Sequence, residues 1–307
     1  GIKDKLLASK YFNIDKTLRS KDEILPAFQS GTIDLVVVFA PHFEEKFRTG
    51  KTPQVQLLGD ATNPNNSNQL IGYVSNIINS YQKRLLPGKS IPLRINTSTK
   101  MLYNPELESS FYFVPGVITV ILMLISALMT SVTIAREKEY GNMEVLLASP
   151  MKPGIVVLGK TIPYIALSLI NAFTILLLGY LVFNMPVSGQ PVLLLFELLL
   201  FIVTSLALGI LISTVTKTQQ SALMISLVGL MLPTILLSGF IFPIESMPKI
   251  LQWISHLVPA KWFIIVIKDI MLKGVGLSVI WPETLILGGM TLILLSISIM
   301  RFNIRLE

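Results

Sequence analysis

The chain has 307 residues, of which 52% are hydrophobic and only 14% charged, with a formal net charge of +7 and a mean hydropathy of +0.67. Soluble domains carry roughly 25% charged residues, so this is membrane composition, and no basic stripe with interleaved aromatics turns the positive balance toward nucleic acid. The absence of cysteine excludes disulfides, thiolate metal sites and cysteine nucleophiles. The charges are also segregated: residues 1–108 hold 14 of the 25 Lys/Arg and 10 of the 18 Asp/Glu. That split predicts a water-exposed domain over residues 1–110, followed by a membrane domain over 111–307.

In chain order, Ser20 and Glu23 have capping-box spacing, and Gly31 supplies a stop, predicting a helix near 21–30. The β-branched run at 33–39 is of strand length. A short helix is expected at 43–49, ended by Gly50, and a second strand at 55–58. Asn63 followed by Pro64 is an N-cap with proline at N1, opening a helix to about Leu86. A third strand is placed at 91–97. Together these make a small α/β domain.

Residues 109–135 carry no charge, more than the ~20 needed to cross the hydrocarbon, with Phe111, Tyr112 and Phe113 as an aromatic belt. This predicts a span at about 112–135. Residues 161–196 are also charge-free but broken around Pro186 and Pro191, predicting spans at about 154–183 and 191–214. A fourth span is expected at 218–240, its end distorted by Pro233 and Gly239, and a fifth at 283–300. The stretch 241–273 differs: Trp253, Trp262, four lysines and Pro259 suit two short interfacial or re-entrant helices.

The lysine and arginine of short loops set orientation. Arg136, Lys138 and Lys152, then Lys217, then Arg301 and Arg305 fall on one side of a five-span path, read as cytoplasmic. Residues 1–110 then lie outside the cell membrane, and the lysines at 249–273 fall outside against the rule. Five spans leave an exported start without a signal, so a sixth span is expected ahead of Gly1.

Residues 136–150 form a charged amphipathic segment between two apolar runs. Met143, Leu146 and Leu147 share a helical face while Glu137, Glu139 and Glu144 supply another; Gly141 permits a change of direction and Pro150 ends the segment. A docking element pushed by a soluble partner fits this better than a plain solvated loop. Residues 154–161 match the phosphate-loop pattern GxxxxGK[ST], but a real one follows a strand and leaves backbone N–H groups free. Here the intervening residues are bulky and apolar and a membrane helix follows, so no ATP site is assigned. His42 and His256 have no ligand cluster near them, and no catalytic set can be assembled. Glu197 reads as the only acid within a span; intramembrane acids mark function, yet its place near a helix N-terminus also suits a structural role. Both readings stand.

At these residues the chain resembles the permease subunits of ABC-2-type transporters, in the long, drug-exporter-like branch. Glu137, Glu139, Gly141, Glu144, Leu146, Leu147, Ser149 and Pro150 occupy the places of that family's acidic run after its second span, with Asn142 where threonine is usual. Asn104-Pro105 with Phe113-Val114-Pro115-Gly116 resembles the start of the second span, residues 237–248 resemble the external re-entrant loop, and Asp60 through Asn68 resembles the extracytoplasmic domain. The resemblance implies six spans, a dimer of permeases (homo- or heterodimer) on two cytoplasmic ABC ATPase subunits, and 137–150 as the coupling helix. ATP and Mg would sit on the ATPase partner, leaving this chain without a cofactor, metal or catalytic residue of its own. Gly239, Phe240, Phe242 and Pro243 would form an outer gate. The expectation is export of an amphiphilic, drug-like or lipid-like substrate across the inner membrane, with a periplasmic adaptor as a further candidate partner. The alternative is a mechanotransmitter that relays ATPase motion to an extracytoplasmic partner with no transport.

Overall fold

Two adjacent strands and one long helix organise the first third of the computed structural model, which describes all residues except 1, 8, 10, 11, 50, 51, 86–94, 142–152 and 302–307. The chain divides into two units, Gly1–Tyr112 and Phe113–Glu307.

In the first unit, helix α1 (Ile2–Leu7) is followed by a 3₁₀ turn Lys21–Glu23 and α2 (Ile24–Gln29). The predicted cap is real in part: Ser20 Oγ accepts from Asp22 N at 3.2 Å, and Glu23 reaches back to Arg19 N at 3.3 Å. Strand β1 (Leu35–Phe39), α3 (Phe43–Arg48), β2 (Gln54–Asp60), α4 (Pro64–Leu85) and β3 (Asn96–Leu102) complete it. The sheet order is β1-β2-β3, with β1 antiparallel and β3 parallel to β2. Parallel neighbours need a crossover, and α4 provides it. Its residues Ile71, Val74 and Ile78, spaced three and four apart, are buried in the cluster that includes Val55 and Leu57 of β2. At Gly59 a Cβ would lie 2.2 Å from Ser67 Oγ, so the residue lets α4 close onto the strand. Of the predicted third strand at 91–97, residues 91–94 lie outside the described residues, and β3 extends past its end to Leu102. Its register, Asn96 opposite Gln54 through Leu102 opposite Asp60, follows from pairing with β2, which composition alone does not specify.

The second unit is helical. Its spans are α5 (Ser109–Glu139), which begins in the first unit, α6 (Pro153–Phe183), α7 (Pro191–Val215), α8 (Gln219–Leu237) and α11 (Leu277–Arg301). Between the last two lie α9 (Lys249–Ser255) and α10 (Pro259–Lys268), continued by a π-helical turn Asp269–Lys273. Among the described residues five helices are long and apolar enough to cross a membrane; the pair α9 and α10, bent by 80°, would make a sixth if it were a single broken span. The chain is thus a multi-pass helical membrane protein with a small three-stranded sheet.

Three span boundaries differ from expectation. Helix α5 runs on through the charged residues to Glu139 rather than ending near 135, since its four charges, Arg136 to Glu139, fall in a last turn that leaves the apolar run without breaking the backbone pattern. Helix α8 ends at Leu237, before Gly239 turns left-handed at φ +78°. Helix α11 starts at Leu277, six residues before the predicted 283, taking Pro282 and Glu283 into its first turns. Pro282 is the sixth residue, inside the helix rather than at its first position, so its missing N–H removes one intrahelical bond there.

The interior of the second unit is mostly apolar but carries a set of buried hydroxyls. On α5 the buried positions Thr119, Met123, Ser126, Ala127, Thr130, Ser131 and Ile134 recur at three- and four-residue spacing. Ser126 bonds Ser168 of α6 at 2.8 Å, Ser131 bonds Ser226 of α8 at 2.7 Å, and Thr133 bonds Tyr164 of α6 at 2.6 Å. Gly209 of α7 meets the α5 backbone so closely that a Cβ would lie 2.4 Å from the Ala127 carbonyl oxygen. This is the small-residue contact that lets membrane helices approach without a hydrophobic driving force. Helix α7, apolar all round, is held from the other side by Thr204–Thr291, by Ser298 donating to the Ala207 carbonyl, and by the stacked rings of Phe201 and Phe263, 4.1 Å apart.

Candidate functional site

Three groups of residues carry the candidate chemistry. The first is the end of α5. Glu137 and Glu139 stand in its last turn, and Tyr140 N and Gly141 N close it by donating to the carbonyls of Arg136 and Lys138. Gly141 has φ +71°, a conformation in which L side chains are rarely found, so glycine is what permits the abrupt stop. Glu144, Leu146, Leu147 and Pro150 lie outside the described residues. Of the predicted coupling set the structure therefore places only Glu137, Glu139 and Gly141, at the end of α5.

The neighbours of this terminus were not legible in the sequence. Lys138 Nζ donates to the carbonyl of Ser213, near the end of α7. The carboxylate of Glu139 accepts from Gln219 N at 2.8 Å and from Gln219 Nε2 at 3.3 Å, at the start of α8. Nothing in the local pattern of residues 136–141 announces partners 75 and 80 positions away.

The second group surrounds Gly239, Phe240, Phe242 and Pro243. Phe240 is 8% exposed, and its ring lies against Gly116 of α5, where a Cβ would come within 1.9 Å of it. Phe113 meets the same ring edge-on, with centroids 5.9 Å apart. Phe242 is half exposed, while Pro243 precedes the 3₁₀ turn Ile244–Ser246. Two stretches more than a hundred residues apart, 113–116 and 237–243, thus form one contact. Beyond it, α9 exposes Ile250 and Trp253, whereas α10 is buried through Phe263, Val266 and Ile267.

The third group is Glu197. It is 0% exposed; one oxygen accepts from Thr284 Oγ1 of α11 at 2.6 Å, and the other, Oε2, has no hydrogen-bond partner. A charged or polar group left half satisfied in a low-dielectric interior is costly. Near it, the 184–190 connection packs on the π-helical turn: Ser188 N donates to the Met271 carbonyl at 3.0 Å, and Asp269 and Lys273 form a buried ion pair at 3.1 Å. The phosphate-loop pattern at 154–161 lies inside α6. Its Gly159, Lys160 and Thr161 stand in continuous helix rather than in the strand-to-helix loop of a phosphate cradle. Among the described residues no group of three or more His, Cys, Asp or Glu is arranged to hold a metal ion.

Five candidate spans, a bent helix pair, a small α/β unit and a charged run closing α5 define a class of polytopic membrane protein. The match to the family described as ABC-2 family transporter protein covers residues 2–300, and the chain belongs to that family. Among curated relatives, it is 33% identical over 265 residues to "Probable multidrug ABC transporter permease YbhS" of Escherichia coli K12, covering 85% of this chain and 70% of that protein. It is 32% identical over 264 residues to "Probable multidrug ABC transporter permease YbhR" of the same organism, covering 86% and 72%. It is 26% identical over 289 residues to "Inner membrane transport permease YhhJ", also of Escherichia coli K12, covering 92% and 76%. No solved structure matches.

Proposed function

We propose that this chain is the permease subunit of an ATP-driven exporter that moves an amphiphilic, drug-like or lipid-like substrate outward across the inner membrane. Hydrolysis takes place on a separate cytoplasmic ABC ATPase, which holds ATP and Mg, and two permease copies form the path. The observation that carries this reading is the end of α5: a 31-residue helix whose final turn leaves the apolar run as Arg136-Glu137-Lys138-Glu139 and stops at Gly141. A span ending in that way delivers a push on residues 137–150 directly to the bundle interior through a rigid rod. The names of the relatives, two multidrug permeases and one inner-membrane permease, support the substrate class and the location.

In this reading residues 1–110 lie outside the membrane and residue 307 in the cytoplasm. Phe240 on Gly116 is a packed gate contact, and Glu197 meets a cationic part of the substrate when α7 and α11 separate. Packed interfaces of this kind switch between discrete arrangements rather than deform. The test is ATP turnover by the full-length permease reconstituted with its ATPase, wild type against Glu144→Arg, alongside efflux of a fluorescent amphiphile. Loss of permease-dependent turnover and efflux in the variant is the expected result. Unchanged turnover would remove 137–150 from the coupling role.

One feature favours the relay alternative, in which motion passes to an extracytoplasmic partner without transport: the first unit has its own apolar core around Val55, Leu57, Val74 and Ile78. Permease-dependent turnover without efflux of any amphiphile offered would select it.

A further inference from the structure

Lys138 and Glu139, adjacent in sequence, reach the two ends of a single turn. Lys138 Nζ donates to the Ser213 carbonyl, and Glu139 accepts from Gln219 N at 2.8 Å and from Gln219 Nε2 at 3.3 Å. Helix α7 ends at Val215 and α8 begins at Gln219, so the residues between them are 216–218. The Ser213 carbonyl is among the last four of α7, and Gln219 N among the first four amides of α8. Such groups have no intrahelical partner. The signs also match: a cation sits on the negative end of one helix and an anion on the positive end of the next. Thr218 already caps α8 from within by accepting from Ser221 N at 3.2 Å, so Glu139 supplies a second, non-local cap to a different amide.

We infer that Lys138 and Glu139 form a two-point clasp that makes the end of α5 and the α7–α8 turn move as one body, so that displacement of the segment after Gly141 reaches all three helices. This rests on the coupling reading above and deepens it. It changes what Glu139 does: its carboxylate is engaged inside the chain and works as a positioning group, leaving ATPase contact to the residues that follow. A third contact above the clasp, Gly209 against Ala127, keeps α5 and α7 from sliding where the side chains cannot reach.

The experiment uses the full-length permease assembled with its ATPase in lipid vesicles, with two readouts: co-purification of the ATPase and permease-dependent ATP turnover. For Glu139→Ala, and for Lys138→Ala with Glu139→Ala, co-purification stays within twofold of wild type while permease-dependent turnover falls about tenfold. A docking role for Glu139 would instead lose co-purification, which would overturn the clasp. Because the sequence has no cysteine, Glu139→Cys with Gln219→Cys can be joined by a short thiol-to-thiol cross-linker that replaces the carboxylate bridge. Turnover is low before linking and recovers after it. A variant that merely misfolds would not recover, and a turnover that stays low on linking, or was never lowered, overturns the clasp. If wild-type turnover does not depend on the permease at all, the coupling reading itself falls, and the clasp's role with it.

Discussion

The two units of this molecule are held together by different kinds of contact. In residues 1–112 the buried face is apolar, with Val55, Leu57, Val74 and Ile78 fully enclosed or nearly so. In residues 113–307 the buried faces hold Ser126, Ser131, Thr204, Ser205 and Ser226, while Phe173, Leu181, Val192 and Ile293 point outward. The difference follows from the solvent. Water drives apolar surface together, so a water-facing domain gathers its Val and Ile. Lipid offers no such drive, so spans are held by close packing of small residues and by hydrogen bonds between hydroxyls. Each unit therefore fails through a different kind of substitution.

The largest effect is expected at Gly209→Val, because the new side chain must displace the α5 backbone at Ala127 rather than a flexible chain end. A loss of roughly 4 kcal/mol or more, the range of severe overpacking, should appear as loss of the monodisperse folded protein in detergent. Next is Ile78→Ala, which removes buried apolar volume from the first unit and should cost about 2–5 kcal/mol. Hydrogen exchange on the full chain reads it as lost protection of β2 amides, with the span amides unchanged. If the spans lose protection equally, the two units are not the separate structures described.

Thr284→Val comes third. It deprives Glu197 of the one bond it makes, leaving both carboxylate oxygens unsatisfied, at a cost of roughly 1–3 kcal/mol, visible as a lowered Tm. Glu197→Gln keeps an acceptor for Thr284 and should hold Tm, while weakening efflux of a cationic amphiphile if the residue meets substrate. The smallest effect is expected at Ser131→Ala, which deletes one hydroxyl bond to Ser226. Single interhelical bonds in membranes average about 0.6 kcal/mol. A loss there as large as that of Ile78→Ala would sink the contrast between the units.

The sequence was informative wherever the physics is local. Apolar length identifies a span, so the positions of α6 and α7 are readable to within a residue or two. Asn63 before Pro64 marks the start of α4. Boundaries were misread where a helix crosses from lipid into water without changing backbone. Charge signals the end of the apolar run, not the end of the helix, and so α5 and α11 both exceed their predicted limits. The register of β3 was unreadable because a parallel partner, not its own composition, fixes where it pairs.

By itself, the sequence determined that this is a multi-pass membrane protein with a small α/β unit, and that the charged segment 136–150 is its distinctive element. Hydropathy, capping and glycine stereochemistry each act over a few residues, so they are written where they act. Only the tertiary structure decided what these residues touch. It set Phe240 on Gly116, buried Glu197 against Thr284, and placed Lys138 and Glu139 on the two ends of the α7–α8 turn. Those contacts join positions 75 to more than a hundred residues apart, and they depend on how helices pack, which no window of sequence contains.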